Sequence, residues 1–269
     1  MRVWVLGSGS RGNAVLLECA DSRLLIDAGF APRALAERLE RIGVAPESVE
    51  ALVLTHEHAD HVKGACAAAR QWGWSVHATE GTVRACPGLA DVDVRTFEPG
   101  ATLTLGRFDV HTVPTPHDAA EPVAVVATSR VTGARVGVVY DLGYVTKAVR
   151  RAFADLDVLV LEANHDEAML RAGPYPPSVR DRIAGTYGHL SNRAAAMMAR
   201  ECAGPSVSHL VLAHLSESCN DSVVALGAVA EAVKGTRFRG LLCTAAQDQV
   251  VGPFTPAAGR SRATQLSLF

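Results

Sequence analysis

The chain opens with short apolar runs, rich in Val, Leu and Ile, that are typical of β-strands. A helical stretch at about 32–42 interrupts these runs, and Pro32 lies near its start, where proline is compatible with a helix. Four strands are predicted in this part of the chain, at 3–6, 14–18, 24–27 and 51–54. The N-terminal part is therefore predicted to be a β-sheet with one covering helix.

Helices and strands alternate in the rest of the chain. Further helices are predicted near 61–71, 146–154, 191–202 and 221–234. Further strands are predicted near 75–78, 101–113, 123–129, 136–140, 158–161, 207–212 and 239–243. Two blocks of strands, each followed by helices, predict an α/β fold in which two packed sheets are flanked by helices, an αββα sandwich.

The domain boundaries follow from composition. No Ser/Gly-rich linker divides the chain before residue 252, so 1–251 is predicted to be one domain. Residues 252–264 are rich in Pro, Gly, Ala and Ser/Thr without apolar periodicity, and they are predicted to be a flexible linker. The chain then ends in the short apolar segment Gln265, Leu266, Ser267, Leu268 and Phe269.

Composition excludes several classes of protein. The net charge of −2 and pI of about 6.5 lack the basic footprint of a general nucleic-acid binder. No apolar stretch approaches the ~18 residues of a membrane span, so no membrane partner is expected. The six cysteines form no Cys-x-x-Cys pair and no export signal precedes them, which favours reduced thiols in a bacterial cytoplasm.

A cluster of histidines and acids follows the predicted strand 51–54. His56, His58, Asp60 and His61 place four potential metal ligands within six residues. His56 and His58 can point the same way from a strand end and bind one ion, and Asp60 with His61 can bind a second. Imidazole and carboxylate ligands suit Zn²⁺, Mn²⁺ or Fe²⁺, so two divalent ions are predicted.

Three more candidate ligands follow predicted strands. His117 comes after Val113-Pro114-Thr115-Pro116, Asp141 after a strand ending at Tyr140, and His214 after a strand ending near Leu212. A single histidine is weak evidence for a metal site. Three strand-end ligands that follow a dense cluster are much stronger evidence.

The pattern His-x-His-x-Asp-His, followed by His, Asp and His, resembles the metallo-β-lactamase superfamily over essentially residues 1–251. The resemblance implies that His56, His58 and His117 bind one metal ion, that Asp60, His61 and His214 bind the other, and that Asp141 bridges them. It also implies that Asp27, in Leu25-Ile26-Asp27-Ala28-Gly29, supports a ligand histidine from behind.

Within the superfamily the sequence is most similar to the YycJ/WalJ family of metal-dependent exonucleases. The resembling segments are 7–13, 116–119, 141–144, 161–166, 173–176, 188–192 and 213–216. Only 73 positions separate Asp141 from His214, which leaves no room for the large inserted domain of the β-CASP nucleases. The family implies a dinuclear phosphodiesterase, a 5′-to-3′ DNA exonuclease in replication-linked repair.

The resemblance also assigns catalytic and substrate-binding roles. In the related RNase Z and PhnP phosphodiesterases a histidine opens a helix about two dozen residues before the last metal ligand, and His189 takes this position here. It would protonate the leaving oxygen, and Asp60 would orient the nucleophile as well as bind metal. Substrate contacts are expected from His165 and from the loop 7–13, through Ser10, Arg11 or Asn13 and its backbone amides.

The last five residues resemble the bacterial sliding-clamp-binding pentapeptide. Leu268 and Phe269 would be apolar anchors, and the Gln265 amide would fix the register. A clamp that encircles DNA would raise the local DNA concentration, which would compensate for the missing basic surface. The alternatives are a small-molecule phosphodiesterase or thioester hydrolase of the same fold, and a non-catalytic clamp-bound adaptor.

Overall fold

The computed structural model of the chain describes residues 1–256. The predicted clamp-binding peptide, residues 265–269, and most of the predicted linker lie outside this part. Within residues 1–256, none of the helices is both long enough and apolar enough to cross a membrane.

The strands form two seven-stranded sheets, each mixed parallel and antiparallel. The first has the order β14-β1-β2-β3-β4-β5-β6 and is built from β1 (Arg2–Gly7), β2 (Ala14–Cys19), β3 (Ser22–Ile26), β4 (Ala51–Val53), β5 (Ser75–Thr79), β6 (Val94–Phe97) and β14 (Val251–Phe254). The second has the order β13-β12-β11-β10-β9-β8-β7 and is built from β7 (Thr102–Leu105), β8 (Phe108–Pro114), β9 (Val123–Ser129), β10 (Arg135–Val139), β11 (Val158–Glu162), β12 (His209–Ala213) and β13 (Leu241–Thr244).

The described part of the chain also contains nine α-helices. They are α1 (Pro32–Glu40), α2 (Ala59–Val62), α3 (Ala65–Trp72), α4 (Glu80–Ala85), α5 (Lys147–Ala152), α6 (Glu167–Ala172), α7 (Pro177–Ala184), α8 (Asn192–Cys202) and α9 (Ser222–Val233). Two short 3₁₀ helices span Pro46–Ser48 and Pro87–Asp91.

The core has three layers of side chains. One fills the space between the sheets, one lies between the first sheet and helices α1 and α3, and one lies between the second sheet and helices α5, α8 and α9. Central strands such as β4 and β11 are buried along their whole length, and their sequences are apolar apart from Glu162 at the end of β11. The predicted αββα sandwich is confirmed.

The predicted helix at 61–71 is divided into α2 and α3. The break occurs at Gly64, whose amide donates to the Ala28 carbonyl oxygen over 2.8 Å. A Cβ at this position would lie 1.9 Å from the Phe30 carbonyl oxygen. Only glycine permits this close approach, which fixes α2 against the loop that follows β3.

The predicted linker begins too early. Residues 252–254 belong to β14, which pairs antiparallel with β1 at the edge of the first sheet. Pro253 is compatible with an edge strand, because it has no backbone N–H to donate to a ladder. Phe254 is buried in the core between the sheets, and this burial holds the segment against the domain.

Candidate metal centre

The site lies where several strands of both sheets end at the same side of the sandwich. β10, β11 and β12 are parallel, and their carboxyl ends carry Asp141, Glu162 and His214. In the first sheet, β3 and β4 are parallel and are followed by Asp27 and by the segment that begins at Thr55. Parallel strands bring their carboxyl ends to one edge, so residues distant in sequence meet there.

The first group of candidate ligands is His56, His58 and His117. One nitrogen from each imidazole lies within 4.8 Å of the others. His117 Nε2 and His58 Nδ1 are 3.2 Å apart. Three imidazoles that direct nitrogens at a common point form the face of a tetrahedral metal site.

The second group contains Asp60, His61 and His214, whose ligand atoms also lie within 4.8 Å of one another. Asp60 Oδ2 is 3.2 Å from His61 Nε2 and 3.2 Å from His214 Nε2. Asp141 lies between the groups, with Oδ2 2.8 Å from His61 Nε2 and 3.8 Å from His56 Nε2. The structure thus brings all seven predicted metal ligands together, and two of the candidate groups that their ligand atoms form match the predicted sets.

Two atoms at the centre test whether a cation fits. Within residues 1–256, the buried His56 Nε2 has no hydrogen-bond partner. The same is true of Asp141 Oδ2, whose 2.8 Å approach to His61 Nε2 is an ion-pair contact that does not meet hydrogen-bond geometry. Burial and the neighbouring His61 hold the pKa of His56 well below its usual range, so its imidazole is neutral and offers a lone pair. Unsatisfied buried polar atoms are uncommon, and a divalent cation between these two would satisfy both.

The other nitrogen of four candidate ligand histidines is held by the protein. His61 Nδ1 donates to Asp27 Oδ2 over 2.7 Å, and His117 Nδ1 donates to the Gly188 carbonyl oxygen over 3.0 Å. His56 Nδ1 lies 3.0 Å from the Thr55 hydroxyl, and His214 Nδ1 lies 3.2 Å from Glu162 Oε1. Such contacts fix the tautomer and leave the inward nitrogen free as a ligand.

Asp27 lies where a supporting carboxylate is expected. It is fully buried and, besides His61, accepts hydrogen bonds from the Thr55 amide and the Thr55 hydroxyl, each over 2.8 Å. Asp27 therefore holds the start of the ligand loop as well as one imidazole.

Glu162 was missed by the sequence reasoning. It ends the apolar strand β11, is fully buried, and accepts from His189 Nδ1 over 2.8 Å and from His214 Nδ1 over 3.2 Å. It also accepts from the backbone amides of Leu142 and Leu190. A carboxylate in register with Asp141 and His214, at the end of an otherwise apolar strand, is the signal that could have found it.

His189 lies beside the two ligand groups. Its Nδ1 is 2.8 Å from Glu162 Oε1 and 3.0 Å from Asp141 Oδ1. The side chain is 21% exposed, so its Nε2 edge is accessible from the solvent side. Burial disfavours the charged imidazole, but the carboxylates of Glu162 and Asp141 outweigh it and raise the pKa of His189 to about 10.

The histidines around the buried carboxylates favour the ionised form of those carboxylates. Burial raises the pKa of Glu162, yet His189 and His214 outweigh this and lower it to about 2. Burial likewise opposes ionisation of Asp141, but His214 and His61 hold the pKa of that carboxyl well below its usual range. The arrangement therefore favours a cluster of anionic oxygens that bound cations would stabilise.

Three site residues have left-handed backbone conformations that are uncommon for residues other than glycine. The φ values are 59° at Asp27, 57° at Asp141 and 54° at His214. Each follows the end of a β-strand, and the turn directs the side chain towards the centre. Backbone strain of this kind is frequent at functional sites.

Most backbone amides of the loop 7–13, from which a phosphate-binding nest was predicted, are engaged within the protein. The amides of Ser8, Gly9, Arg11, Gly12 and Asn13 all donate to acceptors of the protein itself. The loop instead supports the ligands, since the Ser8 hydroxyl accepts from the His214 amide over 2.8 Å.

Arg11 and Asn13, from which substrate contacts were predicted, are not among the residues that line the cavity over the ligand groups. Asn13 is buried, and its Nδ2 donates to Asp60 Oδ2 over 3.1 Å, so it positions a candidate ligand. Arg11 forms ion pairs with Glu217 and Asp248. Ser10 does line the cavity over the ligand groups, which has a volume of about 200 Å³. His165 lines a different cavity, which His189 also borders.

Comparisons with known proteins agree with this geometry. A model of the beta-lactamase superfamily domain matches residues 22–215. The exodeoxyribonuclease YycJ of Bacillus anthracis is 32% identical over 238 residues, which cover 87% of this chain and 89% of that protein. The exodeoxyribonuclease WalJ of Streptococcus pneumoniae is 33% identical over 222 residues, which cover 80% of this chain and 82% of that protein.

A solved structure shows the same fold. The metallo-β-lactamase-fold protein YhfI from Bacillus subtilis superposes with a TM-score of 0.69 at 20% identity, over 93% of this chain and 98% of that one. With the match to the domain model and to YycJ and WalJ, this establishes that the chain belongs to the metallo-β-lactamase superfamily, in the family of YycJ and WalJ, and is a metal-dependent hydrolase.

Proposed function

We propose that the protein is a DNA exonuclease that hydrolyses phosphodiester bonds with two divalent metal ions, Zn²⁺ or Mn²⁺. The observation that carries this proposal is the position of His189. Its imidazole lies within 3.0 Å of the Glu162 and Asp141 carboxylates and borders both ligand groups, where it can donate a proton to a leaving oxygen. The names of YycJ and WalJ support DNA as the substrate.

The two ligand groups described above would each hold one ion, with Asp141 between them. When bound, such ions supply Lewis acidity that stabilises charge on phosphate oxygens and lowers the pKa of water. Asp60, which faces the cavity, would orient the attacking water as well as bind metal. His189 would donate from Nε2 to the leaving oxygen, while Glu162 accepts the Nδ1 proton and holds the ring in place.

The small cavity over the ligand groups favours a second candidate, hydrolysis of a small phosphodiester. A volume of about 200 Å³ admits one phosphodiester group, and the remainder of a polymer would have to continue outside it. Exposed aromatic side chains near the cavity favour the polymer. Tyr187 is 62% exposed, and its carbonyl accepts from the amide of Asp118, which lines the cavity. Tyrosines of this kind can stack on unpaired bases.

A substrate panel tests the function directly. With Zn²⁺ or Mn²⁺, the protein is expected to degrade single- or double-stranded DNA from one end and to hydrolyse bis-p-nitrophenyl phosphate, and chelation should abolish both activities. End-labelled oligonucleotides would determine the direction, for which we propose 5′ to 3′. Asp60→Ala should be inactive on all substrates. Hydrolysis of bis-p-nitrophenyl phosphate without any cleavage of DNA would favour the small-molecule alternative.

The C-terminal segment supports a role in replication-linked DNA repair. Residues 265–269 match the sliding-clamp-binding pattern at every position. Deletion of these five residues is expected to abolish binding to the sliding clamp in a pull-down or by surface plasmon resonance. The same deletion should leave the cleavage rate of short oligonucleotides unchanged. Clamp binding that survives the deletion would refute this role of the segment.

A further inference from the structure

A second cavity, larger than the one over the ligand groups, lies next to His189. Its volume is about 590 Å³, and its lining includes His165, Arg171, Arg180, Ser191 and His189. His189 borders both cavities. Consider a substrate whose scissile phosphate lies over the ligand groups and whose leaving oxygen receives a proton from His189. The part of the substrate that carries this leaving oxygen would lie directly beside the second cavity.

His165 is the first sign that this cavity accepts a polar ligand. The residue is only 2% exposed, and within residues 1–256 its Nδ1 has no hydrogen-bond partner. Burial lowers the pKa of His165, so the ring is neutral and can both donate and accept. Buried polar atoms are nearly always paired in a folded protein, which makes this atom a candidate for a ligand contact.

Two arginines provide positive charge in the same cavity. Arg171 lies on α6 and Arg180 on α7, and neither forms an ion pair within the described part of the chain. By contrast, Arg182 at the first cavity is paired with Asp118. Arg180 Nη1 donates to the Arg171 carbonyl oxygen, which keeps the two residues together. Guanidinium groups form charge-assisted, often bidentate hydrogen bonds with phosphate, so two arginines in the lining of one cavity favour a phosphate ligand there.

The remaining lining fits a nucleobase and sugar better than a bare anion. Leu170, Pro177 and Ala194 are apolar, whereas Glu167 and Asp181 are acceptors that would repel a free phosphate. A nucleobase offers apolar faces together with N–H donors and carbonyl acceptors at its edges. The combination of apolar walls, acidic acceptors and two arginines therefore matches a whole nucleotide.

We infer that the second cavity is the subsite for the nucleotide on the leaving-group side of the scissile bond, with its next phosphate on Arg171 and Arg180. This inference rests on the proposed phosphodiesterase function and adds the position of the departing nucleotide. The α8 N-terminus, at Ser191 and Ala194, adds a positive end to the same cavity.

The double variant Arg171→Gln/Arg180→Gln tests the subsite. Its KM for a single-stranded oligonucleotide should rise about tenfold or more, because charge-assisted contacts to a phosphate are lost. The salt dependence of binding should weaken by about 0.7 in log–log slope for each lost contact. Its kcat/KM for bis-p-nitrophenyl phosphate should stay within twofold of wild type, since this small diester has no second phosphate.

A second variant fills the cavity without touching the buried core. Ala184 is exposed at the end of α7 and lines the cavity, so Ala184→Trp should fold and should block only the longer substrate. The control Arg151→Gln/Arg237→Gln removes two exposed arginines that line neither cavity, and it should behave as wild type on both substrates.

Two results would overturn the subsite. One is an unchanged oligonucleotide KM and salt slope in the double arginine variant. The other is an equal loss on both substrates, which would place the arginines' effect at the ligand groups or on the fold. If the wild-type protein hydrolysed bis-p-nitrophenyl phosphate but no nucleic acid, the proposed function itself would be wrong. This outcome is measured on the wild-type protein alone, so it can be distinguished from a failure of the subsite.

Discussion

Replacement of His189 by alanine is expected to lower kcat on DNA by about 10²–10⁴-fold, the usual contribution of a general acid. The reason is the chemistry of the leaving group. The alkoxide that departs from a DNA strand is strongly basic and needs a proton, and Nε2 of His189 is the available donor beside both cavities. The rate of cleavage of a labelled oligonucleotide, followed in a stopped time course or at steady state, measures the effect on kcat.

The identity of the leaving group separates proton donation from other roles. p-Nitrophenolate is a weak base that departs without protonation, so the His189→Ala variant should retain most of its activity on bis-p-nitrophenyl phosphate. His189→Asn adds a structural control, because its side-chain amide can still donate to Glu162 but cannot transfer a proton. His111→Ala, in the hairpin of β7 and β8, provides a matched histidine control.

Two outcomes would contradict this role. Wild-type cleavage of DNA by the His189→Ala variant would exclude proton donation altogether. An equal loss on both substrates would indicate that His189 acts on substrate binding or on the ligand groups. Metal content, measured by atomic emission, would show whether the variants still hold their ions.

The convergence of the candidate metal ligands could be predicted from the sequence for two independent reasons. First, only a few types of side chain bind metal ions well. Second, a sheet brings the carboxyl ends of its parallel strands to one edge. His117, Asp141 and His214 each follow an apolar strand, so their meeting with the cluster at 56–61 follows from the strand pattern alone.

The segments that could not be predicted from the sequence are those whose structure or role depends on contacts with residues distant in the chain. The loop 7–13 has the glycines of a phosphate-binding turn, but five of its amides donate within the protein, including that of Arg11 to the side chain of the distant Gln247. Helix α7 has no buried residue and hence no apolar periodicity, although Val179 and Ile183 form a wall of the first cavity. Edge strands such as β6 and β14 are too exposed to show an apolar run.

Glu162→Gln tests whether the missed carboxylate controls the site. Glutamine keeps only one oxygen, which can accept either from the two rings in the place of Oε1 or from the amides of Leu142 and Leu190 in the place of Oε2. In either orientation its NH₂ group faces two donors, and the negative charge beside His189 and His214 is lost. Substitution of a residue that hydrogen-bonds to a metal ligand typically lowers metal affinity or activity by about 10–100-fold. We expect a loss of this size in both kcat on DNA and affinity for Zn²⁺, measured by cleavage assays and isothermal titration calorimetry.

A matched substitution separates this effect from the general cost of changing a buried carboxylate. Glu18 on β2 is also buried and bonded twice, by Arg2 and Arg23, but it lies at the other end of the first sheet's strands. Glu18→Gln should lower thermal stability without changing kcat or metal affinity. If Glu162→Gln only lowered stability in the same way, Glu162 would be a structural residue. The other outcome is that Glu162→Gln lowers metal affinity and turnover while its melting temperature stays near that of Glu18→Gln. The Glu162 carboxylate would then couple the position of His189 to that of His214, because its Oε1 accepts from both rings.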